Sequence, residues 1–398
     1  MIRFVRPSFA AARVRAHYEF QTPLDPFSTA PIWCLVSRQQ FRKENSLGGL
    51  ASPRAAETVP VPAVPARDGE DALTALVDLV GDDLQACNRA VIARMDSPVA
   101  LIPQLAAHIV AAGGKRLRPL LTLASARLCG YPAAGGGARH VDLAACVEFI
   151  HTATLLHDDV VDESQLRRGL ASANAIFGNK ASVLVGDFLF ARAFQLMVED
   201  GSLAVLSILS RAAATIAEGE VLQLQTQNDL TTTEDQYLEV VQGKTAALFA
   251  AACEVGAVIA GRPVREQEAL AAFGMNLGIA FQLVDDALDY AANQATLGKT
   301  VGDDFREGKV TLPVLAAYQA GDEPERVFWR RAIEDGAQDD GDLGRALHLM
   351  AERGAIEATL VRAHEFALAA REALAVFPDS AARRILADVA DFTVSRAR

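Results

Sequence analysis

Several features that identify common protein classes are scarce in this sequence. Its 398 residues include only five cysteines, which are widely spaced and form no C-x-x-C pair, so neither a disulfide framework nor a structural zinc site is indicated. Basic residues are in deficit, with 38 Lys and Arg against 50 Asp and Glu and a net charge of -12. That balance argues against a protein that binds nucleic acid by neutralising phosphates. We expect a protein of the reducing cytoplasm.

Long hydrophobic runs are also missing. A membrane-spanning helix needs about 18 or more apolar residues in succession, and the best candidate, residues 245–260, is shorter and contains Glu254. We therefore predict no transmembrane segment. Hydrophobic residues still make up 51% of the chain, which is too many for a disordered protein and enough for one large domain or two ordinary ones.

The first 70 residues differ from the rest of the chain. They are rich in proline and serine, show no sustained period, and carry more basic than acidic side chains. The run Val-Pro-Val-Pro-Ala-Val-Pro at 59–65 is typical of a linker. We predict a disordered N-terminal extension over residues 1–70, with a transit peptide as the alternative, and a single domain over residues 71–398.

From about residue 71 onward the pattern is helical. Ala, Leu, Glu, Arg and Gln dominate, apolar residues recur at spacings of three and four, and alternating strand-like runs are absent. Thr232–Asp235 has the composition of a helix start with a capping box. The sequence therefore predicts an all-α fold.

One acidic motif occurs twice in this helical region. The first copy is His-Asp-Asp-Val-Val-Asp-Glu at 157–163, and the second is Gln-Leu-Val-Asp-Asp-Ala-Leu-Asp at 282–289. Each follows a long apolar run, which places it near the C-terminal end of a buried helix. The i, i+4 spacing aligns Asp158 with Asp162 and Asp285 with Asp289.

Carboxylates in such pairs repel each other and lie at the negative end of the helix dipole, so they favour a bound cation. Oxygen ligands without a thiolate indicate Mg²⁺, which keeps several waters and is commonly shared with substrate phosphates. A single copy could be a solvated helix end. Two copies predict two aspartate rims that face each other across a metal-binding cleft.

Basic residues cluster next to these motifs. Gly-Gly-Lys-Arg-Leu-Arg-Pro occupies 113–119, Arg-Arg-Gly at 167–169 follows the first motif, Gly-Lys-Thr occurs at 243–245, and Gly-Lys-Thr at 298–300 follows the second motif. We expect the segment at 243–245 to open an apolar helix. In an acidic protein, cations beside acidic rims suggest that two diphosphates are held, one through metal ions and one by Lys and Arg directly.

This ordered set of motifs resembles the trans-polyprenyl diphosphate synthases, the head-to-tail prenyltransferases of isoprenoid synthesis. The resemblance runs from about residue 80 to the C-terminus and includes Phe-Ile-His-Thr at 149–152, Gly-Asp-Phe-Leu at 186–189, Phe-Gln at 281–282 and Asp-Asp at 303–304. It implies an all-α, isoprenoid-synthase-type helical bundle around a central active-site cavity. It also implies a Mg²⁺-dependent homodimeric enzyme that joins isopentenyl diphosphate to an allylic diphosphate.

The resemblance assigns roles to individual residues. Those implied to bind Mg²⁺ are Asp158, Asp159, Asp162 and Asp285, which with Lys244 form the implied catalytic set. Those implied to hold the allylic diphosphate are Arg167, Lys244, Thr245, Gln282 and Lys299. Those implied to hold isopentenyl diphosphate are Lys115, Arg118, His151 and Arg168.

Product length is expected to depend on the helix turn below the first aspartates. Short-chain members of the family carry bulky aromatics there, whereas this chain has Ala153 and Thr154. The tunnel is therefore expected to run past Ile150, Phe149 and Val147 to a deeper floor. Candidates for that floor are Phe188, Phe190, Phe194 and Met197. We predict an octaprenyl to decaprenyl product of the kind used for quinone side chains.

Other interpretations remain open at this point. They are a farnesyl or geranylgeranyl diphosphate synthase, or a non-catalytic subunit of a heteromeric synthase. A terpene cyclase is disfavoured because it needs no isopentenyl diphosphate site and no second aspartate motif. A ferritin-type bundle is disfavoured because its Glu and Glu-x-x-His set is not found in the sequence.

Overall fold

The computed structural model describes residues 69–111, 113–132, 138–167, 169–291 and 301–396. Nearly all of the predicted N-terminal extension lies outside these residues, as do two of the predicted substrate ligands, Arg168 and Lys299.

Helices account for most of the described chain, which confirms the predicted all-α class. Their bounds are α1 Gly69–Arg94, α2 Leu101–Ala111, α3 Leu117–Leu128, α4 Arg139–Val161, α5 Ala173–Phe177, α6 Asn179–Asp200, α7 Leu203–Thr226, α8 Glu234–Val241, α9 Ala247–Ile259, α10 Val264–Ala291, α11 Asp303–Arg306, α12 Leu312–Ala320, α13 Glu323–Trp329, α14 Asp342–Glu352, α15 Ala355–Ala373 and α16 Ala381–Ser395. Single π-helical turns, Gln242–Ala246 and Arg330–Glu334, follow α8 and α13.

Local signals in the sequence explain where several helices begin. Thr233 caps α8 by accepting from the Gln236 backbone N–H, and the Gln236 side chain returns the contact. This reciprocal pair is the capping box predicted from the sequence. Ser202 and Ser380 accept backbone hydrogen bonds in the same way at the starts of α7 and α16.

Two clusters of buried apolar side chains form the core. The larger cluster is built by α1, α3, α4, α6, α7, α9, the first half of α10 and α16. The smaller cluster is built by α8, the second half of α10 and α12 to α15. Helix α10 contributes side chains to both clusters. It therefore connects the cluster that contains α4, the helix of the first motif, to the cluster that contains the end of α10, where the second motif lies.

A short hairpin interrupts the helices. Leu166–Arg167 pairs antiparallel with Leu170–Ala171 around Gly169, which has a φ of +78°. The sequence analysis predicted no strands, because two-residue strands are too short to show an alternating pattern. This hairpin is nevertheless important for the site, since it carries Arg167.

Helix α6 is the one described helix that is long and apolar enough to cross a membrane by length and composition, with a mean hydropathy of 1.5 over its best window. Of that window, 39% is buried, and the helix packs against α4. One such helix is weak evidence for a membrane span, because the core helix of a bundle passes the same test.

Candidate active site

The first aspartate motif ends α4, as predicted. Asp162 is the C-cap, and its backbone N–H donates to the Asp158 carbonyl at 2.8 Å. The carboxylates of both residues meet lysines from distant parts of the chain. Lys244 Nζ lies 3.4 Å from Asp158 Oδ2, and Lys309 Nζ lies 3.0 Å from Asp162 Oδ2. The two carboxylates of this i, i+4 pair, which share one helix face, thus each contact a lysine side chain.

Asp159 points in a different direction. Its side chain is only 2% exposed, and its two carboxylate oxygens accept from Arg167 Nε at 2.8 and 3.0 Å. Adjacent residues on a helix point in different directions, so Asp159 diverges from Asp158, and its carboxylate is engaged by Arg167. The structure therefore brings two predicted site residues together as an ion pair between buried Asp159 and the partly exposed Arg167 of the hairpin.

Lys244 lies in the middle of a continuous helical run. The sequence analysis predicted that Gly-Lys-Thr at 243–245 opens a helix, and this was wrong, because α8 passes through a π turn directly into α9. The turn lies where α7 crosses in backbone contact. A Cβ on Gly219 would lie 2.5 Å from the Lys244 backbone nitrogen, and the Cα of Gly219 would lie 3.0 Å from a Cβ on Gly243. Such π turns occur often at functional sites.

This crossing gives Lys244 two carboxylate neighbours. Its Nζ lies 2.7 Å from Glu220 Oε2 on α7, in addition to the Asp158 contact. Burial opposes the charge of Lys244, but the negative charges of Asp158 and Glu220 raise its pKa above the usual value. Burial and the nearby Asp158 charge raise the pKa of Glu220 to about 7.

The second aspartate motif lies in the last turns of α10. Buried Asp286 accepts from Tyr237 Oη at 2.5 Å and from Gln282 Nε2 at 2.7 Å. Gln282 in turn accepts from Thr245 Oγ1 at 2.8 Å. Burial raises the pKa of Asp286 to about 6. These contacts tie two predicted allylic-site residues, Thr245 and Gln282, to the second motif.

Asp285 is the more accessible carboxylate of this motif. Its side chain is 38% exposed, and Arg396 Nη2 lies 4.0 Å from Oδ1. The guanidinium of Arg396 also covers the Phe281 ring at 4.2 Å from the centroid. The C-terminal turn of the described chain therefore lies beside the second motif.

A cavity of about 110 Å³ lies between α7, the π turn, α10 and the segment before α12. The residues that line it include Lys244, Thr245, Gln282, Asp286, Asp304 and Lys309. The sequence analysis missed Lys309, whose Nζ also contacts Glu307 at 2.6 Å. The available signal was the Gly308-Lys309 pair, which repeats the Gly-Lys pattern of 243–244 and 298–299.

Two of the predicted isopentenyl diphosphate residues, Arg118 and His151, meet near the start of α3. Arg118 Nη1 lies 3.2 Å from His151 Nε2 on α4, and the Arg118 guanidinium stacks over Phe249 at 4.5 Å. Lys115 is exposed, with Nζ 5.9 Å from the Phe392 ring centroid. The segment 113–116 that carries Lys115 has positive φ at Gly113, Gly114 and Arg116.

The turn of α4 below the first aspartates is small, as the sequence indicates. Ala153 is fully buried, while Thr154 is half-buried and donates from Oγ1 to the His151 carbonyl at 2.7 Å. Of the proposed floor residues on α6, Met197 is buried, Phe188 and Phe190 are half-buried, and Phe194 is 44% exposed.

Comparison with known proteins identifies relatives of this arrangement. Residues 99–350 match the family model for polyprenyl synthetase. The octaprenyl diphosphate synthase of Escherichia coli (strain K12) is 49% identical over 323 residues, which cover 81% of this chain and 98% of the relative.

Solved structures agree with these sequence relatives. The crystal structure of a decaprenyl diphosphate synthase from Rhodobacter capsulatus is 55% identical, with a TM-score of 0.78, and the match covers 82% of this chain and 99% of that one. A polyprenyl synthase from Caulobacter crescentus CB15, complexed with calcium and isoprenyl diphosphate, is also 55% identical, with a TM-score of 0.78 and coverage of 82% and 98%. The resemblance and the isoprenoid-synthase fold inferred from the motifs are thereby confirmed, and the chain belongs to the polyprenyl synthetase family.

Proposed function

We propose that this protein is a magnesium-dependent long-chain trans-polyprenyl diphosphate synthase. It condenses isopentenyl diphosphate head to tail onto an allylic diphosphate. The observation that carries the proposal is the placement of Lys244 and Lys309 against the two carboxylates of the first motif, in a cavity that Gln282 and Asp286 of the second motif also line. The relatives of high identity named above, an octaprenyl and a decaprenyl diphosphate synthase, support the long-chain class.

The residues present fit Mg²⁺. Among the described residues, no group of three or more His, Cys, Asp or Glu side chains is close enough to hold a metal ion without other ligands. Mg²⁺ is usually bound by one or two carboxylates together with waters and substrate phosphates, so isolated carboxylates on facing rims match its requirements. Asp158 and Asp162 would hold metal on one rim, and Asp285 on the other. When bound, the metal supplies positive charge that stabilises the leaving diphosphate.

Asp159 has a supporting role in this proposal. Its carboxylate is occupied by Arg167, so its contribution is to fix the hairpin next to the metal rim. Arg167 would then reach the allylic diphosphate from this anchored position, together with Lys244, Thr245, Gln282 and Lys299.

Lys244 and Lys309 act on the leaving group. A primary allylic diphosphate ionises only when the negative charge that develops on the diphosphate is stabilised. Both lysines are held charged and face the cavity, where the carboxylates of Asp158 and Asp162 now contact them. We infer that the diphosphate takes up these lysine contacts on binding, which orients its leaving oxygen toward the cations.

Isopentenyl diphosphate binds through Lys115, Arg118, His151 and Arg168, with His151 two turns before Asp158 on the same face of α4. The carbon–oxygen bond breaks first and leaves the diphosphate and an allylic cation; the double bond of isopentenyl diphosphate then attacks that cation to form the new carbon–carbon bond, and one proton is lost. The departing diphosphate accepts that proton, so the reaction requires no side chain with a tuned pKa as general base.

The chain is proposed to work as a homodimer in the cytoplasm. Helix α6 exposes apolar side chains along one face, and a soluble monomer rarely leaves such a stripe uncovered. The exposed members are Val183, Leu184, Phe194 and Val198. A second copy related by two-fold symmetry would cover the same stripe on both molecules.

The first test is incubation of the purified protein with farnesyl diphosphate, labelled isopentenyl diphosphate and Mg²⁺, followed by chromatography of the dephosphorylated products. A ladder that ends at one octaprenyl to decaprenyl alcohol supports the proposal and its use for a quinone side chain. Products of farnesyl or geranylgeranyl length would retain the reaction and overturn the chain length. No product would favour a subunit that needs a partner chain.

The aspartates provide a matched comparison in the same assay. Asp158→Asn and Asp285→Asn remove one metal-binding charge from each rim and should abolish turnover at any Mg²⁺ concentration that supports the native protein. Asp229→Asn removes a carboxylate in the loop after α7 that accepts hydrogen bonds from the backbone and hydroxyl of Thr231, and it should leave turnover unchanged.

A further inference from the structure

A largely buried ion pair lies next to His151, with which both of its side chains line a cavity. Arg116 donates from Nη1 to Glu148 Oε1, and the two side chains are 17% and 8% exposed. Arg116 sits between Lys115 and the start of α3, and Glu148 lies on α4 one turn before His151. The pair therefore joins the two segments that carry Lys115, Arg118 and His151.

The backbone at Arg116 shows what this pair does. Arg116 is the N-cap of α3 and has left-handed dihedral angles, φ 49° and ψ 34°. This conformation is unfavourable for a residue with a Cβ, and the cap has no side-chain hydrogen bond to offset the cost. A conformation of this kind persists only when the surrounding structure restrains it. The ion pair with the Glu148 carboxylate provides this restraint.

The left-handed turn has a consequence for ligand binding. It lies between exposed Lys115 and the first turn of α3, where Arg118 meets His151 at 3.2 Å, so its dihedral angles set the direction in which the chain enters the helix. If Arg116 relaxed to an ordinary conformation, the segment with Lys115 would move relative to Arg118. Two cations that grip one diphosphate must keep a fixed separation, because misplaced contacts lose much of their strength.

From these contacts we infer that Arg116 and Glu148 are positioning residues for isopentenyl diphosphate, and that neither contacts the ligand. They fix Lys115 and Arg118 in the geometry that binds the diphosphate. This inference rests on the proposed function and adds to it two residues that the motif analysis did not assign.

The chain offers a closely matched control. Arg127, in the last turn of the same helix α3, pairs with Asp83 on α1 at 2.5 Å, and those side chains are 21% and 10% exposed. The two ion pairs thus resemble each other in burial and in the helix they anchor. Only the Arg116 pair adjoins the predicted diphosphate residues.

The test is steady-state kinetics with farnesyl diphosphate, isopentenyl diphosphate and Mg²⁺ on Arg116→Ala, Glu148→Gln, their double variant and Arg127→Ala. We expect each of the two positioning variants to raise KM for isopentenyl diphosphate about tenfold, which corresponds to about 1.4 kcal/mol. KM for farnesyl diphosphate should change less than about threefold. The double variant should be no worse than either single variant, because both remove the same contact. Arg127→Ala should leave both KM values unchanged.

Two further variants keep the test decisive if Arg116→Ala folds poorly. Arg116→Gly removes the ion pair but adopts the left-handed conformation readily, so its KM should lie between those of the native protein and Glu148→Gln. Arg116→Lys retains the charge and should recover most of the native affinity.

Different results would overturn different statements. If Arg116 contacted the diphosphate itself, Glu148→Gln would free it and lower KM, and the inference would be wrong while the proposed function stood. Equal effects of Arg116→Ala and Arg127→Ala on KM would also overturn it. A native protein that consumes no isopentenyl diphosphate would overturn the proposed function, and the inference with it.

Discussion

Substitution of Thr154 by Phe should shorten the product. Thr154 lies four residues before Asp158, about 6 Å along the axis of α4, and it is half-buried on the same helix face. Side chains on a helix lean toward its N-terminus, so the new ring would occupy the space from about 6 Å to about 11 Å below the aspartates. An extended isoprene unit spans about 5 Å, because it contributes four bonds of about 1.5 Å in a zigzag. The ring therefore meets the second or third unit of the growing chain.

We expect Thr154→Phe to yield products of farnesyl to geranylgeranyl length, with the first condensation within about threefold of the native rate. The assay is chromatography of the dephosphorylated products formed from geranyl diphosphate and labelled isopentenyl diphosphate. Thermal unfolding should show a loss of about 1–3 kcal/mol, the usual cost of overpacking.

Thr154→Val is the matched control for this substitution. It keeps the volume and shape of the side chain but removes the hydroxyl that donates to the His151 carbonyl. It should retain the long product. An unshortened ladder from Thr154→Phe would refute the placement of the tunnel, and a shortened ladder from Thr154→Val would show that the hydroxyl, and not the bulk, controls length.

Three other predictions follow from the described contacts. Lys309→Met should lower kcat about a hundredfold and destabilise the protein by about 3 kcal/mol, because Asp162 loses its cation at 3.0 Å. In thermal unfolding, Mg²⁺ should restore part of this lost stability. Full activity of the variant would contradict the role of Lys309. Leu184→Glu should convert a dimer into a monomer in light scattering, because this α6 side chain is 66% exposed; an unchanged mass would place the interface elsewhere. The buried thiols should not react with Ellman's reagent at pH 8 in a Cys34→Ser variant until the protein unfolds, because a pKa of about 12 leaves roughly one thiolate in ten thousand; rapid reaction would contradict their burial. The thiols with that pKa are Cys87, Cys129 and Cys253.

Part of the site could be predicted from helix periodicity alone. An apolar run followed by aspartates at i and i+4 places Asp158 and Asp162 on one face at a helix end, and the structure has them there. Periodicity does not separate Asp159 from Asp162, which lies three residues further on; the contact of Asp159 with Arg167 reveals its different position. Arg167 was predicted as a site residue, but its pairing with Asp159 could not be, because Arg167 lies on a hairpin of two-residue strands that leave no pattern in the sequence.

Other parts depend on contacts between segments far apart in the chain. The π turn at Gln242–Ala246 exists where Gly219 and Gly243 allow two backbones to touch. Neither glycine alone reveals that crossing, so the sequence indicated a new helix. Lys309 was missed for a similar reason, since its partner Asp162 precedes it by 147 residues.

The length of α4 sets a limit on where a long product can lie. From Arg139 to Asp158 the helix rises about 28 Å, whereas an extended octaprenyl chain at about 5 Å per unit measures about 40 Å. The product therefore cannot lie straight along α4 within the bundle, and it must bend or emerge between helices. Phe194, a predicted floor residue on the helix packed against α4, is 44% exposed, so the predicted lower end of the tunnel is close to the surface proposed to bind a second copy. Product length and dimer formation are then expected to be coupled, and a monomeric Leu184→Glu variant should release shorter products than the native protein even though Ala153 and Thr154 are unchanged.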